Sequence, residues 1–518
     1  MRLKAESLLA GAAAGIGVVG IVSALTPELA SRSDLVRGVL PSGVPAAARV
    51  ATLAFGIGLV WLSRSLAGRR RRAWQLAVAV VIGITLAHLA KGLDVEEAGA
   101  GLAFLAFLVR YRKRFDVPGD PASLRPFAAT LAALAAAVGW SLYLGTRPGA
   151  PDRLEDTLAA VSLVLAFRAL YLWLRPLTEL VRQSVDERRA ARVLVEGYGR
   201  DSLAFFALRR DKSYLFSPSR RAFLAYRVVG GAALVSGDPV GDEDELDALL
   251  AEFRRLARKR GWRMAVIGAS GDQLERYRRL GLRAIKIGDE AVLRPDSFSL
   301  EGRPIRKVRQ SVSRLTKAGY RFRVVSAGEA DPALRAQLDA VSAAWRGNQP
   351  ERGFSMAHDE LYAPDTLFAV AESPDREVGG FLHLVPTPAG GSYSLSTMRR
   401  RPGTPNGLME FLIVEALAWA KEREVREVSL NFCVFTDLLQ PEGPRWRRLV
   451  RRALLGLDKL FQLERLYSFN RKFFPEWRPR YICFERLSDL PLVGLAYLRV
   501  ESLLTPPGPW VRQPRVPA

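Results

Sequence analysis

Cysteine is scarce: Cys433 and Cys483 are the only two in 518 residues. A disulfide framework is excluded, and such usage suits a reducing compartment. Histidine is nearly as rare. His88, His358 and His383 are scattered, and with two lone cysteines they make no zinc-ligand spacing, so no metal site is expected. Acids are outnumbered, 53 against 76 Lys and Arg, for a net charge of +23. That balance favours a polyanionic partner, either nucleic acid or an anionic membrane surface. Also missing are a P-loop, a G-x-S-x-G elbow and a Cys-His pairing. Neither nucleotide hydrolysis nor a covalent acyl-enzyme is indicated, and no cofactor is expected.

Long hydrophobic runs, by contrast, are abundant. A mean hydropathy of +0.04 in so charged a chain averages a membrane half and a soluble half. Residues 1–177 are Ala, Leu, Val and Gly-rich, and six spans are expected at 6–26, 46–67, 73–90, 95–110, 126–146 and 157–175. Most approach the roughly 20 residues a bilayer requires. The fourth is short, and Arg168 interrupts the sixth, facing the bundle or marking a break. Arg2 and Lys4, Arg64 with Arg69 to Arg72, Arg110 with Arg112 to Arg114, and Arg175 with Arg182 occupy alternate loops. The intervening loops hold Glu28, Asp34, Asp94, Glu96, Glu97 and Asp152. The bias puts both ends of the chain in the cytoplasm. Gly15-Ile16-Gly17-Val18-Val19-Gly20 fits G-x-G-x-x-G but has no strand before it. Close helix packing through small residues is the expected use.

The soluble half opens with a charged connector at 178–200. An α+β unit at 201–300 follows, with strands expected at Ala204–Leu208, Ser213–Phe216, Ala222–Val229 and Ala232–Gly237. It continues with an amphipathic helix, Glu243–Arg260, then strand, helix and strand to Leu293. A basic linker helix at 301–320 carries Arg306, Lys307, Arg309, Arg314 and Lys317 with no acid after Glu301. Such a helix is read as facing tRNA or lipid phosphates. A second α+β unit at 321–485 repeats the order.

Within it, Ser392–Lys421 reads as strand, basic loop and helix. Arg399, Arg400 and Arg401 precede Thr404 as N-cap and Pro405 as first helical residue. Three guanidiniums beside a helix N-terminus would make an anion site. Near the end, Leu466–Tyr481 interleaves aromatics with Arg471, Lys472, Arg478 and Arg480, a pattern that can stack bases while pairing phosphates. A tail at 486–518 is expected to be partly disordered, Pro-rich beyond Thr505.

The order of elements is that of an acetyltransferase-like (GNAT) domain, present twice in tandem. The acyl-CoA version of that fold carries a [QR]-x-x-G-x-[GA] pyrophosphate loop, whereas Arg400–Pro405 ends on proline. Further stretches are SGDPVG from Ser236, IGDEAVL from Ile287, FSLEGRPIRKVRQSVSRLTKAGY from Phe298, ERGFSM from Glu351, MRRRPGTPNGLMEFL from Met398 and FNRKFFPEWRPRY from Phe469. Together these resemble the lysylphosphatidylglycerol synthase (MprF) family of aminoacyl-phosphatidylglycerol synthases. The resemblance implies a multi-span helical membrane domain followed by a cytoplasmic tandem GNAT-like domain. It implies transfer of an amino acid, lysine before alanine, from aminoacyl-tRNA to the glycerol hydroxyl of phosphatidylglycerol or a related lipid. It covers the synthase half with its own anchor, without flippase spans or a fused lysyl-tRNA synthetase. That family has Asp-Leu-Met-Arg where Ser396–Arg399 stand, and Leu-Gly-Met-Ala-Pro-Leu where Leu430–Phe435 stand.

Transfer from an activated ester needs positioning and charge stabilisation. Arg399, Lys472 and Arg480 are candidates for phosphate or oxyanion contacts, and Asn431 for the carbonyl. Asp238, Glu351 and Glu410 are candidates for the donor ammonium or a proton relay. Ser396, Asn406 and Arg471 complete the expected substrate-binding set. Alternatives are an acyl-CoA-dependent N-acyltransferase and a non-catalytic anchor binding tRNA or anionic lipid.

Overall fold

The computed structural model describes residues 5–26, 43–92, 95–145, 152–347, 357–434 and 463–502. Glu351, Phe435, the arginines from Arg445 to Arg452 and the tail beyond Thr505 lie outside the described residues. The chain divides into two compact units, Met1–Thr178 with Ala257–Trp262, and Glu179–Leu256 with Arg263–Ala518.

In the first unit six helices are described: α1 (Ala5–Leu25), α2 (Gly43–Ala67), α3 (Arg71–Gly92), α4 (Val95–Arg110), α5 (Leu124–Gly145) and α6 (Asp152–Leu174). Five of the six are long and apolar enough to cross a membrane. The exception is α4 with 16 residues, about 24 Å at the usual rise against a hydrocarbon core of about 30 Å. Of the six spans expected, the fourth, read as short, is thus the one that falls below that length among the described residues. Glycines let α1 and α2 touch backbone to backbone. A Cβ on Gly17 would lie 2.6 Å from the Gly56 carbonyl oxygen, and one on Gly56 2.7 Å from that of Gly17. The small-residue run thus serves helix packing. Arg168 neither faces the bundle nor breaks its helix: α6 runs on to Leu174, and Arg168 is exposed beside exposed Phe167 and Tyr171. Six residues from the helix end, it can snorkel to the interface.

The second unit opens with α7 (Val185–Tyr198), fixed by a capping box between Ser184 and Glu187. It is no mere connector. Ala191, Leu194 and Val195 are buried against Phe205, Phe206 and Leu208. Ala204–Leu208, expected as a strand, is a 3-10 turn with all five residues buried; uniform burial leaves no alternation to satisfy a strand.

The remainder is built on one twelve-stranded sheet. Strands β1 (Ser213–Phe216), β2 (Ala222–Val229) and β3 (Ala232–Ser236) form an antiparallel meander, with β4 (Val240–Gly241) on β2. Helix α8 (Glu243–Arg260) then crosses to β5 (Arg263–Ser270), parallel to β3. After α9 (Leu274–Arg279) comes β6 (Arg283–Leu293). Helix α10 (Arg306–Lys317) leads to the second half. There β7 (Arg321–Ser326), α11 (Pro332–Arg346), β8 (Leu367–Glu372), β9 (Val378–Thr387) and β10 (Ser392–Arg400) form another meander. Helix α12 (Leu408–Glu422) crosses to β11 (Val428–Val434), parallel to β10. Then come α13 (Leu463–Asn470), β12 (Glu476–Phe484) and α14 (Leu490–Val500).

Meander, helix and parallel strand thus occur twice, the tandem GNAT-like fold. The two halves exchange strands: the central order is β3-β5-β12-β6-β11-β10. The last strand of the second half lies between two strands of the first, so neither half completes its sheet alone.

Candidate functional site

At the carboxyl ends of β3 and β5 the chain turns sharply. Gly237, at φ +69°, donates its N–H to the Ile267 carbonyl and swings Asp238 inward. Asp238 accepts from the Ser270 N–H at 3.0 Å and from the Tyr277 hydroxyl at 2.6 Å. Burial, with the charge of Asp201 beside it, pushes its carboxyl up to about 6 against those two hydrogen bonds.

Arg480 sits at the strand exchange, 4 % exposed. Its guanidinium donates to Glu290 at 2.9 Å, to Asp201 at 2.7 Å and to the Ser202 hydroxyl at 2.8 Å. Glu290 also accepts from the Ser429 hydroxyl at 2.5 Å. Burial opposes charge on both partners, yet Asp201 and Glu290 hold the guanidinium above its ordinary range. The charge of Arg480, with hydrogen bonds from Ser202 and Ser429, likewise holds Glu290 below the usual carboxylate range. The network joins β6, β11 and β12.

Above it opens a cleft of about 1030 Å³. Its walls carry the carboxylates Asp201, Asp238, Glu243, Asp272, Glu290 and Glu427 and the arginines Arg200, Arg426, Arg478 and Arg480. Arg478 and Arg480 are already engaged by Glu427 and Glu290, at 2.6 and 2.9 Å. Asp201, Glu290, Glu427 and Glu243 are in turn engaged by arginines, so the wall offers groups of both signs to a polar ligand.

Other expected site residues gather elsewhere. Arg399 is 8 % exposed on β10, opposite Phe381. The three expected arginines do not converge. Strand alternation buries Arg399 and leaves Arg400 half-exposed, and Arg401 is ion-paired to Glu377 at 2.7 Å. Nor does Thr404 cap the next helix. Its hydroxyl donates to the Arg401 carbonyl, the chain turns once more, and Gly407 at φ +98° is the cap of α12. The N-terminus of α12 abuts α10. A Cβ on Gly407 would meet Ser311 at 2.5 Å, and Arg314 donates to the Asn406 carbonyl at 2.9 Å. The expected anion cradle is therefore not assembled at this helix.

Asn431 occupies a β-bulge at φ +66°, where β11 slips against β6 between Ser429 and Phe432. Its amide donates to the Leu395 carbonyl at 3.1 Å, and its oxygen accepts from the Phe432 N–H at 2.9 Å. It braces the bulge. Glu410 and Lys472 hold one another at 2.7 Å, and Lys472 lies 5.0 Å from the Phe469 ring. Arg471 lies over Tyr467 at 6.0 Å, and the Ser396 hydroxyl accepts from the His358 N–H at 2.9 Å. Among the described residues, the cleft brings together Asp238, Arg478 and Arg480 of those expected.

Sequence reasoning missed Asp201, Tyr277 and Glu290, although Glu290 lies in the Ile287–Leu293 stretch. It also passed over two buried histidines. His383 stacks on Phe368 at 5.1 Å, and His358 meets Phe205 edge-on at 5.1 Å. Among the described residues, no ring nitrogen of either has a hydrogen-bond partner. Burial pushes His358 down to about 4. Burial, with His358 and Arg399 nearby, pushes His383 down to about 3. Lys212 is wholly buried, its ammonium donating to the Phe206 carbonyl at 2.5 Å and the Ser236 hydroxyl at 2.6 Å. Burial pushes it down to about 7.

Apolar spans and a strand-exchanged tandem sheet define a membrane-associated protein with a transferase-type C-terminal unit. The family described as phosphatidylglycerol lysyltransferase, C-terminal, matches residues 192–484, and the chain belongs to it. A lysylphosphatidylglycerol biosynthesis bifunctional protein LysX from Mycobacterium sp. (strain JLS) is 35% identical over 88% of this chain and 46% of its own length. Its counterpart from Mycolicibacterium vanbaalenii is 35% identical over 96% of this chain and 50% of its own. The chain spans about half the length of the curated relatives it matches. The structure of L-PGS from Bacillus licheniformis superposes with a TM-score of 0.55 at 24% identity, covering 61% of this chain and 96% of that one. The C-terminal domain of a putative lysylphosphatidylglycerol synthetase from Agrobacterium fabrum gives 0.52 at 26% identity, covering 62% and 98%.

Proposed function

We propose that the protein moves an amino acid, lysine by preference, from aminoacyl-tRNA to the glycerol hydroxyl of phosphatidylglycerol. The carrying observation is the polar cleft around Asp238 and Arg480, inside the segment that matches the family. A lysyl group brings two ammonium charges, and Asp238 and Asp272 on the cleft wall can receive them. The lipid hydroxyl oxygen attacks the ester carbonyl, and a new C–O bond forms. The bond to the tRNA ribose oxygen breaks, and the hydroxyl proton passes to that oxygen. The donor ester is already activated, so no other energy source is consumed. Asp238, held near 6, is the candidate proton relay.

The packing at Gly407 favours this donor over acyl-CoA. A pyrophosphate would seek the free N–H groups at the start of α12, and α10 stands against that end. The C-terminal unit works from the cytoplasmic side, a reading that the charge bias of the basic loops around Arg69–Arg72 and Arg112–Arg114 supports. Cysteine-accessibility labelling in intact cells tests the sidedness; labelling of a C-terminal-unit cysteine from outside would overturn it.

The activity is tested by incubating membranes containing the protein with labelled aminoacyl-tRNA and extracting the lipids. Label should enter phosphatidylglycerol. Its absence with each of several amino acids refutes the reading.

A further inference from the structure

Two dipeptides on the cleft wall share one pattern. Arg200-Asp201 follows α7 and Arg426-Glu427 leads into β11, and all four residues line the cleft. In each, the acid pairs with an arginine of β12. Asp201 lies 2.7 Å from Arg480, and Glu427 2.6 Å from Arg478. In each, the preceding arginine is left over. Arg200 and Arg426 are exposed and make no ion pair among the described residues.

One turn brings these two cations together. Pro388–Gly390 is a 3-10 turn between β9 and β10. A Cβ on Gly390 would lie 3.2 Å from the Arg200 carbonyl oxygen, and the Gly391 carbonyl accepts from the Arg426 N–H at 3.0 Å. Thr387 enters the same turn from β9 and lines the cleft, 3% exposed. Its hydroxyl has no hydrogen-bond partner among the described residues. A buried hydroxyl without a partner is uncommon in a folded protein. Two uncompensated guanidiniums beside it indicate what the partner is: an oxyanion, the ligand to which arginine binds most strongly.

The number of groups selects among oxyanions. Two cations and one hydroxyl at a single turn match one phosphate. A polynucleotide strand carries a charge at every residue and calls for a stripe of cations. Asp238 and Asp272 line the same cleft, which therefore suits a ligand that joins an ammonium to a phosphate. An amino acid esterified to a phospholipid headgroup is such a ligand.

We propose that Arg200, Arg426 and Thr387 form a subsite for the phosphodiester of a phospholipid headgroup. That this lipid is the acceptor of an amino acid rests on the function proposed above; the phosphodiester subsite does not.

The test uses the full-length protein in a maltoside detergent, which carries no phosphate. Binding of short-chain dihexanoyl-phosphatidylglycerol is read by titration calorimetry. Arg200→Gln with Arg426→Gln removes two exposed charges and no packing, and affinity should fall on the order of tenfold. Arg200→Lys with Arg426→Lys keeps the charge and should recover part of it. Thr387→Val should weaken binding about threefold without lowering the unfolding midpoint, because no internal hydrogen bond is lost. Dihexanoylglycerol, which lacks the phosphate, should distinguish none of the variants from the parent. Parental lipid affinity in the glutamine variant or in Thr387→Val overturns the proposal. So does weakened binding of uncharged tRNA with lipid affinity intact, which would make the ligand a polynucleotide phosphate. Loss of lipid affinity in the variants, with no amino acid transferred even by the parent, supports this inference and sinks the function proposed above.

Discussion

The two halves of the tandem sheet follow one topology and put it to different ends. In the first, the turn after β3 opens into the cleft, with Asp238 tied to Tyr277 and Ser270. In the second, the turn after β10 is closed by α10 packed on Gly407. The cleft beside the first turn is lined by acids and arginines alike; beside the second, α10 exposes its cations. The same frame occurs twice, and side-chain placement alone opened one turn and closed the other.

The largest effect is expected at the exchange that joins the halves. Arg480→Met would strand Glu290 and Asp201, and breaking a buried pair costs about 3–5 kcal/mol. Denaturant unfolding of the C-terminal unit in the purified protein measures it. A midpoint matching the parent would show that the halves do not depend on the network.

Gly407→Ala attacks the closed turn. The residue stands at φ +98° with Ser311 where the methyl would go, so about 1–3 kcal/mol should be lost. Adding Ser311→Gly should recover the steric part but not the backbone part. Full recovery would make the contact, not the conformation, decisive.

Acidity separates the halves next. The carboxyl of Asp238 is raised to about 6. Its contribution to stability is complete below the unfolded value near 3.8 and is lost as pH rises through 6. The two histidines run the other way. Held near 4 and 3, they favour the fold above the unfolded value of 6.5. That stability is lost as pH falls through those values. Acid unfolding should therefore be retarded in His383→Phe, which suits the stack on Phe368. A parental acid midpoint in that variant would show that His383 is not neutral.

The smallest stability effect belongs to Glu410 and Lys472. Lys472 is 43% exposed, so Lys472→Gln should cost below about 1 kcal/mol. Transfer activity sharpens the comparison: a large loss at unchanged stability would make Lys472 a substrate contact, while parental activity would leave it a surface pair.

Much of this architecture was legible in residue order. The apolar runs located all six helices of the first unit, because a helix in lipid must be continuous and apolar. Amphipathic spacing located α8 at Glu243–Arg260. Reading failed where local signals conflict with burial. Phe205 and Phe206 suggested a strand and form a 3-10 turn. Thr404-Pro405 announced a helix that begins at Leu408.

For the site, Asp238 and Arg480 could be named individually, since each lies in a distinctive stretch. Their meeting could not, because Arg480 finds Glu290 at a sequence separation of 190 through a strand swapped between the halves. Composition and periodicity fixed a basic, membrane-associated chain with a repeated α+β half, because those properties are sums over neighbouring residues. Which charges are neutralised and which stay idle on α10 was decided only by tertiary structure. Pairing depends on distance in space, and the sheet order sets that distance.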